Sequence, residues 1–82
     1  MKSWKLEHEG SVIEVINEAT GEKLIVNGQL QDEQIGLAAR SRLYGHILSS
    51  NGERQILKFS LGSEFLNVRC IIFLDDKEIF RS

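Results

Sequence analysis

Val68-Arg69-Cys70-Ile71-Ile72-Phe73-Leu74, closed by Asp75-Asp76, is the most apolar run in the chain. It is rich in β-branched and aromatic side chains and too short for a free-standing helix, so it reads as a strand. Both parities are apolar: Val68, Cys70, Ile72 and Leu74 on one face, Ile71 and Phe73 on the other. Such a strand needs cover on both sides, which places it inside a sheet and not at its edge. The first face is expected in the core. The second needs cover from the segment 32–42, from Phe65-Leu66, or from another molecule.

Outward from this run, the dominant period is two. Trp4, Leu6 and His8 alternate with Lys5, Glu7 and Glu9, and after a turn at Glu9-Gly10-Ser11 a second strand runs from Val12 to Ile16. Asn17 to Gly21 reads as a turn, Leu24 to Val26 as a strand, and Asn27-Gly28 as a tight hairpin turn that Gln29-Leu30-Gln31 answers. Leu43 to Leu48 and Gln55 to Leu61 form a further hairpin about Asn51-Gly52. Ile79-Phe80 follows the Asp75-Asp76-Lys77-Glu78 turn.

Segment 32–42 is ambiguous. Asp32 followed by Ile35, Ala38, Ala39 and Arg42 at near-helical spacing admits one short helical turn, against which Gly36 argues; an irregular crossing or an edge strand are the other readings. Six to seven short strands without a proline predict a single all-β domain over 1–82, a small antiparallel β-sandwich or flattened barrel. The expected core is Trp4, Leu6, Ile13, Val15, Leu24, Val26, Leu43, Ile47, Leu57, Phe59, Leu61, Val68, Cys70, Ile72 and Leu74. There is also an internal echo, in which Leu24-Ile25-Val26-Asn27-Gly28-Gln29-Leu30 resembles Phe73-Leu74-Asp75-Asp76-Lys77-Glu78-Ile79.

Composition excludes several classes. A chain of 82 residues with one cysteine forms no internal disulfide and no multi-cysteine zinc site. Its net charge of −2 gives no overall pull toward nucleic acid or an anionic membrane. Residues 1 to 36 hold seven acids against three bases, and residues 37 to 82 hold seven bases against five acids. The start lacks the apolar region of a signal peptide, and no run reaches the ~20 residues of a membrane span. A cytoplasmic protein with no membrane association and Cys70 reduced is expected.

Chemistry-bearing motifs are sparse. No glycine-rich phosphate loop or nucleophile elbow occurs. Cys70 with His46 is the minimum for a thiol–imidazole pair, but a lone cysteine among Val and Ile reads as a small buried hydrophobe. On a strand the neighbours of His8, Glu7 and Glu9, point to the opposite face, which disfavours a metal site. Asp75-Asp76 reads as a turn. No catalytic residue, cofactor or metal ligand is expected.

Two stretches resemble the Fas apoptosis inhibitory molecule family. They are Trp4-Lys5-Leu6, Gly10, Ile13-Glu14-Val15 with Leu24 to Leu30, and the closing run from Cys70 to Ile79. The match covers most of the chain with gaps and corresponds to about one domain of that family, whose cysteine falls in an earlier strand than Cys70. The resemblance implies an all-β sandwich acting as a non-catalytic binding module.

The expected function is accordingly a protein-binding or self-associating module, a homodimer or partner complex using Ile71, Phe73, Phe65 and Leu66 as interface. One alternative is a small-molecule-binding β-barrel with Trp4, Tyr44 and His46 at the pocket mouth. A second is a single-stranded nucleic-acid binder using Arg40, Arg42, Arg54 and Arg69 with Tyr44 and Phe59. The absence of a Lys/Arg cluster and the negative total charge make nucleic acid the less favoured partner.

Overall fold

The period-two segments become eight strands, one or two more than the pattern predicts, in a computed structural model that describes residues 2–36, 40–64 and 67–82. They are β1 (Lys2–His8), β2 (Ser11–Glu18), β3 (Gly21–Val26), β4 (Gln29–Ile35), β5 (Arg40–Leu48), β6 (Arg54–Glu64), β7 (Asn67–Leu74) and β8 (Lys77–Arg81). β1 to β4 make one antiparallel four-stranded sheet and β5 to β8 another, each a meander in chain order. The inner faces of the two sheets bury one core, so the architecture is a β-sandwich.

The apolar run that organises the sequence is β7, flanked by β6 and β8. Its Cys70, Ile72 and Leu74 are buried with Leu57, Phe59 and Leu61 of β6, Leu43 and Ile47 of β5, and Trp4, Ile13, Val15, Leu24 and Val26 of the first sheet. Leu6 and Val68, also expected inside, pack on this core but stay partly exposed. Alternation does not reveal the buried polar residues Ser11, Glu22 and Ser41. One carboxylate oxygen of Glu22 has no hydrogen-bond partner among the described residues.

The hairpin turns follow from their residues. Glu9-Gly10, Asn27-Gly28 and Asp75-Asp76 each hold two successive positive φ values, 47° and 84°, 50° and 81°, 48° and 65°. This is the turn whose twist matches that of paired strands. The segment 32–42 contains no helix among the described residues. Asp32 to Ile35 continue β4, Gly36 turns at φ 101°, and 37–39 lie outside the described residues. Asp32 has the side chain of a helix cap, but its Oδ1 accepts the Glu33 amide at 2.8 Å and its Oδ2 the Tyr44 amide at 2.8 Å, both within strands.

The internal echo has a physical basis, one residue out of the register that the sequence suggests. Asn27 corresponds to Asp75, not Asp76. The Asn27 amide donates to the Val12 carbonyl (2.9 Å) and Asn27 Oδ1 accepts from the Val12 amide (2.8 Å). The Asp75 amide donates to the Ile56 carbonyl and Asp75 Oδ1 accepts from the Ile56 amide, each at 2.9 Å. A β-bulge follows each corner. Ile25 faces Leu30 and Leu24 faces Asp32, leaving Gln31 unpaired; Phe73 faces Glu78 and Ile72 faces Phe80, leaving Ile79 unpaired.

The two bulges have different uses. In the first sheet the bulge turns Gln31 and Asp32 toward the free edge of β5. Gln31 Oε1 accepts from the His46 amide and Asp32 Oδ2 from the Tyr44 amide, each at 2.8 Å. Amides that would otherwise template a foreign strand are thereby satisfied within the chain. In the second sheet the same positions are Ile79 and Phe80, which pack on the core instead.

Candidate binding surface

Because Leu57, Phe59, Leu61, Cys70, Ile72 and Leu74 point inward, the alternate residues of the second sheet form its outer face. Cross-strand register arranges them in rows: His46 beside Ile56; Tyr44, Lys58, Phe73 and Glu78; Arg42, Ser60, Ile71 and Arg81; and Gly62 beside Arg69. This face is apolar at one end and basic along its length. Tyr44 and Ile56 are each 51% exposed and Leu48 is 59% exposed. Leu30, 54% exposed, joins them across the junction between β4 and β5.

Several charges on this face already make close interactions, Arg69 among them. Arg81 Nη2 lies 2.7 Å from Glu78 Oε1, and this hydrogen bond, with the charge of Glu78, raises the Arg81 pKa above its ordinary value. Lys58 Nζ sits 5.0 Å from the Phe73 ring centroid and 3.7 Å from Asp76. Asp76 is almost fully exposed, so that ion pair is screened and weak. Arg54 Nη2 reaches His46 Nδ1 at 3.3 Å.

The charge asymmetry of the sequence thus separates onto two surfaces. The outer face of the first sheet carries Glu7, Glu14, Glu18 and Glu33 against Lys5 and Lys23, by the same register argument. The outer face of the second is the basic one.

The residues singled out from the sequence distribute as follows. Ile71 and Phe73 are half-buried on the outer face, and the Lys58 ammonium lies over the Phe73 ring. Phe65 and Leu66 lie outside the described residues. Tyr44 and His46 line a shallow depression of about 610 Å³ with Gln29, Leu30, Arg54 and Ile56. Trp4 is not with them; it is buried in β1, with Lys2 Nζ 5.4 Å from its ring centroid. Cys70 faces the core and His46 the outside, so no thiol–imidazole pair forms. Burial pushes the Cys70 pKa up to about 12, the opposite of an activated thiol.

Arg42, Arg54, Arg69 and Tyr44 do share one face, whereas Phe59 is fully buried and Phe73 takes the aromatic place beside them. The Arg40 side chain is outside the described residues. No group of three or more His, Cys, Asp or Glu able to hold a metal ion occurs among the described residues. Sequence reasoning passed over Ile56, Lys58 and Ser60. Their signal was the outward parity of β6, legible once Leu57 and Phe59 are assigned inward.

Fold and surface together define an all-β sandwich with one outer face richer in acids and one richer in bases. No protein-family model, curated protein or solved structure matches the chain.

Proposed function

We propose that this chain is a small, cytoplasmic, non-catalytic binding module that meets a protein partner, in the first instance a second copy of itself, through the outer face of its second sheet. One observation carries the reading. Leu30, Tyr44 and Ile56, all more than half exposed, cluster at the β4–β5 junction with His46, Arg54 and Lys58 around them, and Leu48, equally exposed, follows on the same face beside Arg54. An apolar centre with a charged rim is the anatomy of a protein interface, and exposed apolar clusters of this kind mark interaction sites.

Sedimentation equilibrium over a wide concentration range tests it. The expected result is a reversible dimer that Ile56→Asp returns to monomer without lowering the thermal midpoint. A strict monomer at the highest soluble concentration overturns self-association through this face.

A further inference from the structure

The two sheets have edges at β1, β4, β5 and β8. Gln31 and Asp32 of β4 tie it to the β5 edge at His46 and Tyr44, and β8 is only five residues long and bulged at Ile79. β1 has none of these protections. It runs seven residues without proline, its register to β2 is unbroken, and no other strand pairs with it among the described residues. A regular, uncovered edge is a template for one more strand.

Pairing with β2 fixes which main-chain groups that edge offers. The Val12 amide and carbonyl are both taken by Asn27, so the Glu7–Val12 pair exchanges no bonds. Bonded and unbonded pairs alternate along an antiparallel ladder, so the amides and carbonyls of Ser3, Lys5 and Glu7 all point away from β2. Their side chains are exposed on the outer face of the first sheet, and Lys5 and Glu7 make no ion pair among the described residues. An added antiparallel strand has to bond to these three residues.

The charges select the strand. When β1 meets β1 of a second copy about a two-fold axis, a register centred on Lys5 or on Glu7 sets like charges opposite each other, and one centred on Trp4 sets Lys5 opposite Ser3. Centred on Leu6, Lys5 of each copy faces Glu7 of the other, in pairs that exchange both main-chain bonds. We propose that β1 pairs antiparallel with β1 of a second copy in this last register, joining two four-stranded sheets into one. A contact of one strand per copy is small and its ion pairs are exposed, so it is weak and escapes sedimentation of the dilute chain. It shares no residue with the Leu30–Tyr44–Ile56 cluster and does not depend on that surface binding a protein.

Disulfide trapping in the whole chain tests the proposal. Position 6 lies opposite itself in an unbonded pair, whose Cα separation of about 4.5 Å admits a disulfide. Leu6→Cys and Lys5→Cys are each made together with Ile56→Asp, oxidised with glutathione disulfide and followed by non-reducing electrophoresis; Cys70 is buried and forms no link. Leu6→Cys is expected to dimerise faster than Lys5→Cys, although position 5 is the more exposed. The reverse order, or no more dimer than the Ile56→Asp chain alone gives, overturns the proposal. Adding Lys5→Glu or Glu7→Lys to the Leu6→Cys chain should each slow trapping about tenfold, since both create like pairs at low ionic strength. An equal mixture of those two chains should recover the parent rate, because the charges reversed in one match those reversed in the other. A mixture as slow as its components overturns the register. Ile56→Asp silences the second-sheet surface throughout, so a failure here and a failure of that surface are read separately.

Discussion

Gln31 Oε1 reaches the His46 amide across the inner surface of Gly45, whose missing Cβ leaves the passage open. A glycine on one sheet and a bulged glutamine on the other are therefore one device. Gly45→Ala should destabilise the chain by about 1–3 kcal/mol through overpacking. Gln31→Ala should cost about 1 kcal/mol for the lost hydrogen bond. The double variant should lose less than the sum, because removing the amide frees part of the space. Urea denaturation of the four chains measures the coupling; strict additivity would mean that the two residues act separately.

The corners at Asn27 and Asp75 should respond alike. Each residue holds positive φ and bonds a neighbouring strand through both its amide and its side chain. Asp75→Asn keeps both features and should be nearly neutral. Asp75→Ala and Asn27→Ala should each cost about 2 kcal/mol, from the left-handed backbone and the lost side-chain bond together. Glycine at either position should fall between. Thermal melts of the five variants rank them directly.

Adjacent positions on β6 should differ sharply. Phe59 is fully buried, and Phe59→Ala should cost about 3–5 kcal/mol. Lys58, on the other face, should tolerate Lys58→Ala within about 1 kcal/mol, losing a weak ion pair and the cover over Phe73. Chemical denaturation of both variants reads the contrast.

Cys70 should be inert while the chain is folded. An aromatic disulfide reagent should label it only as fast as the protein opens. Stability should also carry its alkaline signature. Between pH 9.0, the ordinary thiol value, and about 12, the unfolded chain releases the Cys70 proton and the folded chain retains it. The unfolded state then binds fewer protons, so this group lowers stability by about 1.4 kcal/mol per pH unit across that window and has no effect below it. Cys70→Val should remove this component, visible as a smaller alkaline loss than in the parent chain.

How much of this was legible follows from which interactions are periodic. Alternation places Phe59 inside and Ile56 outside, because a strand has two faces and water selects between them. It also separates β7 correctly into its Cys70 face and its Phe73 face. Asp32 was misleading because a carboxylate that caps a helix and one that caps a strand edge are the same side chain; only the position of Tyr44 in space decides. Gln31 carried no signal either, since its role exists only because the bulge turns it toward His46. Trp4 shares parity with the core as expected, but no sequence rule says that Tyr44 and His46 sit on the far side of the sandwich. Gly62 follows the expected Gln55–Leu61 strand, and only its pairing with β5 and β7 shows that the strand continues through it.

Every ladder in the sandwich joins strands consecutive in sequence. Each pairing therefore closes only a short loop, so the backbone can zip without long entropic searches, and folding should be quick for an all-β chain. During synthesis, the first four strands can pair before β5 emerges from the ribosome. Their inner side, Trp4, Ile13, Val15, Leu24 and Val26, stays wet until the second half arrives. The half-made chain is the species most prone to aggregate, and the acidic outer surface of the first sheet is the one that repels its neighbours during that interval.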